Sequence, residues 1–420
     1  MIREKISDRI SLNISQTDKF KTNFLSIFFS VPLEYENATE YALLPKVLLR
    51  GSGNYPDMKS INRRMDQLYG ANMSGVVLKR GERQVIGFMS GCLCNKYAFE
   101  KIDILKGLTD LINDLLFNPN LCNGAFLQSY VESEKKNHID YIKSLKNNKN
   151  QYAVQRCREE MCKNEAYGIS EYGSIEQTEK VTPESLYRAY KNFISVADID
   201  VFFVGKCDKD VLTDDIKKMF SSLTGSRISF KPQIITSVSG VNTVTEEMNI
   251  NQGKLTLGFR SGTTIYDEDY SAFSLFNEIF GGSPSSKLFM NVREKLSLCY
   301  YCSSSPEAHK GLLFVASGIE VENKEKAQQE ILNQLEEIQN GNITDTEFDS
   351  AVKSLINAYS ELDDDPYSLS LWYYGRFLAG NTDTPETAIQ KIMSLTKEDV
   401  IKVSRNVVLD TVYFLKGVNV

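Results

Sequence analysis

The strongest restriction on the fold of this chain is an internal repetition. The segments YKNFISVADIDVFFVG, ending at Gly205, and VSRNVVLDTVYFLKG, ending at Gly417, share one plan: a helix end, a short polar turn, then an apolar strand stopped by glycine. Two earlier stretches correspond in the same way, EYALLPKVLLRGSG at 40–53 and SAFSLFNEIFGGSP at 271–284. Repetition at this spacing predicts a duplicated chain with two halves of about 200 residues each. Strands grouped with runs of consecutive helices suit an α+β fold, one sheet per half with helices packed on one face.

The boundary follows from a loss of pattern. From Thr224 to Val244 helical periodicity stops and Gly, Ser and Pro appear. We therefore expect a first half at 1–228, a linker at 229–245 and a second half at 246–420. Within the first half, FKTNFLSIFFSVPL (20–33) reads as a buried strand, and helices are expected near 39–50, 58–68, 99–116, 124–145, 151–162, 183–193 and 211–223. The second half opens with the strand KLTLGFR (254–260) and continues with helices to a closing strand at 411–417.

At 42% hydrophobic and 25% charged residues the composition is that of an ordinary globular chain. A net charge of -7 argues against a general nucleic-acid surface. No apolar run approaches the roughly 18 residues of a membrane span, and MIREKISDRI has the pattern of neither a signal nor a transit peptide. A cytoplasmic location is expected, with the eight cysteines reduced. Cys92/Cys94 and Cys299/Cys302 sit in strand-like runs, where residues at odd spacing face opposite ways, and only His138 and His309 are available to complete a four-ligand zinc site. Core thiols are the expectation. No phosphate-binding loop, dinucleotide fingerprint or Gly-x-Ser-x-Gly elbow is present.

The most informative stretch is residues 271–305. It reads as a helix ended by Gly281 and Gly282 in left-handed conformations, a turn in which Ser283 or Ser285 caps the next helix, a helix through Arg293, and a strand from Leu298. Arg293 and Tyr300 lie seven residues apart on two rigid elements, where a guanidinium and a phenol can donate to one carbonyl or oxyanion. A solvated helix-end cation and a half-buried strand tyrosine are the plainer alternative. The run GGSPSSKLFMNVREKLSLCY resembles the carboxy-terminal element of the insulinase-type (pitrilysin-like) zinc metallopeptidases and of mitochondrial processing peptidase subunits. That resemblance implies that Arg293 and Tyr300 reach substrate near a zinc ion.

The resemblance also implies where the zinc belongs. In the family, a helix before a Gly-Thr or Gly-Ser carries His-x-x-Glu-His. With Gly51-Ser52 in that register, Ala42, Pro45 and Lys46 occupy the three functional positions. The family's third ligand, a Glu seven residues after an assisting Glu, falls on Tyr141, with Glu134 in the assisting place. All four positions are degenerate, so no zinc or other cofactor is expected on this chain. His138 and Asp140 beside Lys135, Lys136 and Lys143 read as a polar helix face, and the basic run 135–158 reads as solvated or as a cleft wall attracting acidic partners. Asp363–Asp365 before Pro366 reads as a helix start, with Trp372, Tyr373 and Tyr374 as core and cleft wall.

The chain is similar to zinc-less bacterial members that occur beside a zinc-bearing sister, including a group associated with elongation factor P lysine modification. The resemblance implies a non-catalytic subunit of a heterodimeric peptidase acting on a peptide or protein. Two chains would close as a clamshell, the sister holding zinc, and Arg293 and Tyr300 would serve its site. A peptide-binding chamber that does not cut, acting in elongation factor P modification, is the alternative reading. Independent catalysis through Cys299 and Cys302 is a third, and a homodimer also stays open.

Overall fold

The structure, a computed structural model, describes residues 1–418. The first half of the chain runs β1 (Ile2–Ser7), β2 (Ile10–Gln16), β3 (Thr22–Pro32), α1 (Tyr35–Leu48), α2 (Met58–Gln67), β4 (Asn72–Arg80), β5 (Arg83–Leu93) and α3 (Ile104–Phe117). It continues through the small hairpin β6 (Leu121–Cys122) and β7 (Ala125–Phe126), α4 (Gln128–Ser144), α5 (Lys149–Met161), α6 (Ile175–Lys180), α7 (Pro183–Val196), β8 (Asp198–Gly205) and α8 (Lys209–Met219). The second half runs β9 (Asn242–Met248), β10 (Gly253–Arg260), α9 (Tyr270–Asn277), two π-helical turns (Glu278–Gly282 and Leu288–Lys295), β11 (Cys299–Glu307) and β12 (Leu312–Ile319). It closes with α10 (Lys324–Gln339), α11 (Asp345–Ser360), α12 (Pro366–Leu378), α13 (Pro385–Met393), α14 (Lys397–Ser404) and β13 (Val408–Gly417).

The fold is α+β and duplicated. One sheet has the order β4-β5-β3-β8-β2-β1 and the other β11-β12-β10-β13-β9. Both are antiparallel except for one pair at the same place, β8 with β2 and β13 with β9. The two sheets therefore share one topology, and β1 is an addition to the first. The strands β1, β2 and β9 go beyond the sequence expectation. β9 has an alternating exposed and half-buried pattern with two glutamates, which reads as turn-like until β13 supplies its pairing.

The compact units do not follow the chain as the division into 1–228 and 246–420 has it. The first unit comprises 1–143, 169–231 and 366–374, and the second 144–168, 232–365 and 375–420. Each unit thus receives helical residues from the other half, Pro366–Tyr374 of α12 in the first and α5 in the second. Sequence periodicity marks such helices but not which sheet they cover. The chain entering the expected linker is held within the first unit: just before it Arg227 pairs with Asp200 at 2.8 Å and the Ile228 N–H donates to Asp198 at 3.0 Å, and inside it the Phe230 ring lies 4.5 Å from the Arg83 guanidinium.

In the first unit, alternate residues of β3 divide the core. Leu25, Ile27 and Phe29 join Leu44, Leu108 and Phe193 on the main helical face, each burial contributing about 1.5–3 kcal/mol. Phe28 points the other way and meets Tyr374 of α12 at 4.8 Å between ring centroids. In the second unit Leu255, Leu257 and Phe259 pack against Phe273, Ile331 and Val400. On the reverse face α5 lies close to β10, and a Cβ at Gly258 would come within 2.7 Å of the Met161 sulfur. Just after α5, buried Glu165 accepts from Arg260 and from Lys310, both at 2.7 Å.

Among the described residues no helix is long and apolar enough to cross a membrane.

Candidate functional site

The α1–α4 face lies within the first unit. Positions 42 and 46 are four apart on α1 and share a face, while Val131, Glu134, His138 and Tyr141 recur at three- and four-residue steps on α4. Across this pair of helices the Lys46 ammonium sits 5.0 Å from the centre of the Tyr141 ring. Positions 46 and 141, assigned by resemblance to a ligand His and a ligand Glu, thus meet as a cation over an aromatic face. Ala42 is fully buried and offers no donor atom. Pro45, inside the last turns of α1, packs against β4, where a Cβ at Gly75 would come within 2.7 Å of its own Cβ.

Glu134 and one nitrogen of His138 on α4 are engaged within the chain, while the buried His138 Nδ1 has no hydrogen-bond partner among the described residues. Buried Glu134 accepts from Arg50 Nε at 2.5 Å and from Asn137. His138 is fully buried and its Nε2 bonds the Tyr172 carbonyl at 2.8 Å. Burial pushes the His138 imidazole down from 6.5 to about 4, and the nearby Lys46 charge pushes the same way. Burial also lowers the Lys46 pKa, against the pull of Glu134. A neutral histidine, an engaged carboxylate and a lysine make no zinc site, and among the described residues no group of three or more His, Cys, Asp or Glu side chains is placed to hold a metal. The residues present do not fit zinc.

The second candidate lies in the second unit. Gly281 and Gly282 are not in left-handed conformations; the positive φ falls on Ser297, at 50°, just before β11. Gly281 is required for close approach, because a Cβ there would lie 2.8 Å from the Ser304 nitrogen. The cap is Ser286, whose hydroxyl accepts from the Phe289 N–H at 3.4 Å, not Ser283 or Ser285. Arg293 lies near the end of the π-helical turn Leu288–Lys295, its guanidinium 4.5 Å above the Phe289 ring and its Nε 3.6 Å from Glu294.

Tyr300 is the extra residue of a β-bulge. Cys299 pairs with Ile319 and Tyr301 with Gly318, which leaves Tyr300 between them. A bulge re-aims a side chain, and Tyr300 is 59% exposed, its phenol donating to Glu320. That bond holds the Tyr300 pKa above its usual value, so the phenol keeps its proton. The bulge also turns Cys299 and Cys302 to the same buried side, against the odd-spacing expectation. A hydrogen bond from Cys302, with the nearby Arg293 charge, lowers the Cys299 pKa. Arg293 and Tyr300 are thus on one surface segment, each with its own acidic neighbour; among the described residues no bond joins them.

Of the remaining candidates, Cys92 and Cys94 are buried free thiols, and all eight cysteines are unbridged. Tyr373 and Tyr374 are core, and Pro366 opens α12. His309 is buried beside Tyr266, 3.3 Å from its hydroxyl.

Comparison with known proteins places this geometry. The profile described as the Peptidase M16 inactive domain matches residues 180–355. The probable inactive metalloprotease YmfF of Bacillus subtilis strain 168 is 36% identical over 408 residues, covering 97% of this chain and 96% of that protein. The crystal structure of a conserved protein from Enterococcus faecalis V583 superposes with a TM-score of 0.90 at 28% identity, over 99% of this chain and 98% of that one. A peptidase M16 inactive domain from Pseudomonas fluorescens shares the fold with a TM-score of 0.79 at 16% identity, over 99% and 98% of the two chains.

Proposed function

Because the chain belongs to the peptidase M16 family as an inactive member, we propose that it serves as the non-catalytic subunit of a heterodimeric zinc peptidase. The zinc and its general base reside on a sister chain, and Arg293 and Tyr300 bind substrate or steady the transition state there. One observation carries this reading: the zinc-motif positions hold Lys46 and Tyr141 while Arg293 and Tyr300 are kept at the surface.

Chemically, an arginine fork and a neutral phenol both donate to oxygen. Directed at a peptide carbonyl, they strengthen as negative charge develops on it during attack by the zinc-bound water of the sister. Glu294 and Glu320 hold the two side chains until a substrate oxygen replaces them. The test is zinc content, peptidase activity and particle mass of this chain alone, of the zinc-bearing sister alone and of the two co-expressed. Activity and metal confined to a one-to-one complex is the expected result, and full activity of the sister without this chain overturns the proposal.

A second reading, a chamber that holds a peptide without cutting it, is favoured by the unpaired charge of Lys46. Elongation factor P, with its modifying proteins, is the first substrate set to offer in either case.

A further inference from the structure

The bulge at Tyr300 brings together two thiols that take no part in oxygen binding by Arg293 and Tyr300. Cys299 stands opposite Ile319 and Cys302 opposite Ser317, so the extra residue puts them at neighbouring places on one face of β11. Both are free and buried, Cys299 at 9% exposure and Cys302 at 3%. Three steps of regular strand would hold the two Cα atoms roughly 10 Å apart on opposite faces; across the bulge the ladder advances two places, roughly 6.8 Å. That is the upper end of the Cα spacing, about 4.4–6.8 Å, that a disulfide spans. The bulge makes this pair bridgeable.

Their surroundings also set these two sulfurs apart from the other cysteines. Burial pushes the Cys92 and Cys162 thiols up to about 12 and Cys207 up to about 11, and it raises Cys157 as well. Cys299 is shifted the other way. The Cys302 S–H donates to it, which outweighs its burial, and the positive charge of Arg293 acts in the same direction. Cys302 itself is raised and keeps its proton. A sulfur that ionises readily beside one that stays protonated is the arrangement of an attacking and a resolving thiol.

We propose that Cys299 and Cys302 are a reversible oxidation site, a dithiol that hydrogen peroxide closes to an intrachain disulfide across the bulge carrying Tyr300. The Cys299 thiolate attacks one peroxide oxygen and the O–O bond breaks; the departing hydroxide takes up the proton lost by Cys299 and leaves as water, with Cys299 now a sulfenic acid. The Cys302 sulfur then attacks that sulfur, the S–S bond forms, and the displaced hydroxide leaves as a second water with the Cys302 proton. The two thiols lose two electrons and one peroxide is reduced to two waters. An external dithiol reopens the bridge by exchange.

The test uses the full chain, reduced and then exposed to graded hydrogen peroxide, with the remaining thiols alkylated in denaturant before tryptic digestion and mass spectrometry. Cleavage after Lys295 and Lys310 releases residues 296–310, which contain Cys299 and Cys302 and no other cysteine. This peptide should become lighter by two hydrogens and lose both alkylation sites at about tenfold less peroxide than Cys92 and Cys94 require, a margin set by thiolate fraction. Dithiothreitol should restore both sites. Cys302→Ser should halt the reaction at a Cys299 sulfenic acid that dimedone traps, and Cys299→Ser should leave Cys302 open to alkylation, both with unchanged circular dichroism. Two sites still alkylated when Cys92 and Cys94 are oxidised, sulfinic acid at Cys299 in place of the bridge, or a disulfide between two chains overturns the proposal. The wild-type peptide decides the matter even where a variant fails to fold, and no sister chain enters the measurement.

Discussion

The α1–α4 face and the Arg293/Tyr300 segment are both tied by resemblance to one reaction, and the chain has treated them in opposite ways. On α1 and α4 the polar groups are turned inward: Glu134 is locked by Arg50, and His138 is buried against a backbone carbonyl. Arg293 and Tyr300 instead remain at the surface, where their contacts are a ring face and two exposed acids. The first region is built of regular helix. In the second, a π-helical turn and a β-bulge, both irregular features, hold two donors outward. Irregular backbone kept beside a pair of exposed donors points to use, whereas regular helices that turn a carboxylate and an imidazole inward point to stability.

The sharpest way to break this contrast is Arg293→Ala in the heterodimer proposed above. We expect kcat/KM to fall about 100- to 1000-fold, the loss typical of one oxyanion-type donor, with the complex intact by size-exclusion chromatography. Tyr300→Phe should act in the same direction and leave the urea midpoint of this chain where it is in wild type, since the phenol bonds an acid at the surface. Turnover unchanged in both variants removes the functional half of the comparison.

Much of this was legible in the sequence, for reasons that differ by region. Helices such as Lys324–Gln339 and Pro366–Leu378 fall where apolar period, caps and proline put them. The duplication was visible because both halves close with an apolar strand ended by glycine. Three things were not legible. The exchange of α5 and α12 is a tertiary choice that leaves no local trace, although Gly258 under Met161 shows its steric requirement. The strand β9 has no apolar pattern because it is an edge. The bulge at Tyr300 depends on pairing with Ile319 and Gly318, residues distant in sequence. The Lys46–Tyr141 contact likewise needed two helices brought together, and neither residue announces the other.

A second prediction concerns acid. The α1–α4 face, if it is built for stability, should weaken as pH falls, while the exposed segment should not. His138 titrates at 6.5 when unfolded and at about 4 in the folded chain. Its folded value is the lower one, so the unfolded chain takes up the proton first. The contribution is complete above pH 6.5, declines as pH falls below it and is lost by about pH 4, for at most about 3 kcal/mol. Urea unfolding of wild type and His138→Gln across that window isolates the effect, because other groups titrate in both. The difference in stability between the two proteins should shrink as the pH is lowered, and a constant difference would remove His138 from the account.

The smallest effect expected is also the most discriminating within the first region. Lys46 is disfavoured as a cation by its burial and has no acceptor to offset this. Lys46→Met keeps a long flexible chain over the Tyr141 ring, where sulfur replaces the ammonium as the contact. The cation–π attraction that this substitution removes is worth about 0.5–1 kcal/mol at such a site, and relief of the partly buried charge acts in the opposite direction, so stability by urea unfolding should change by less than about 1 kcal/mol. A decrease well beyond that would mean that Lys46 is held in place as a structural cation bracing α1 against α4. A near-neutral result means that Lys46 is not a structural brace between the two helices.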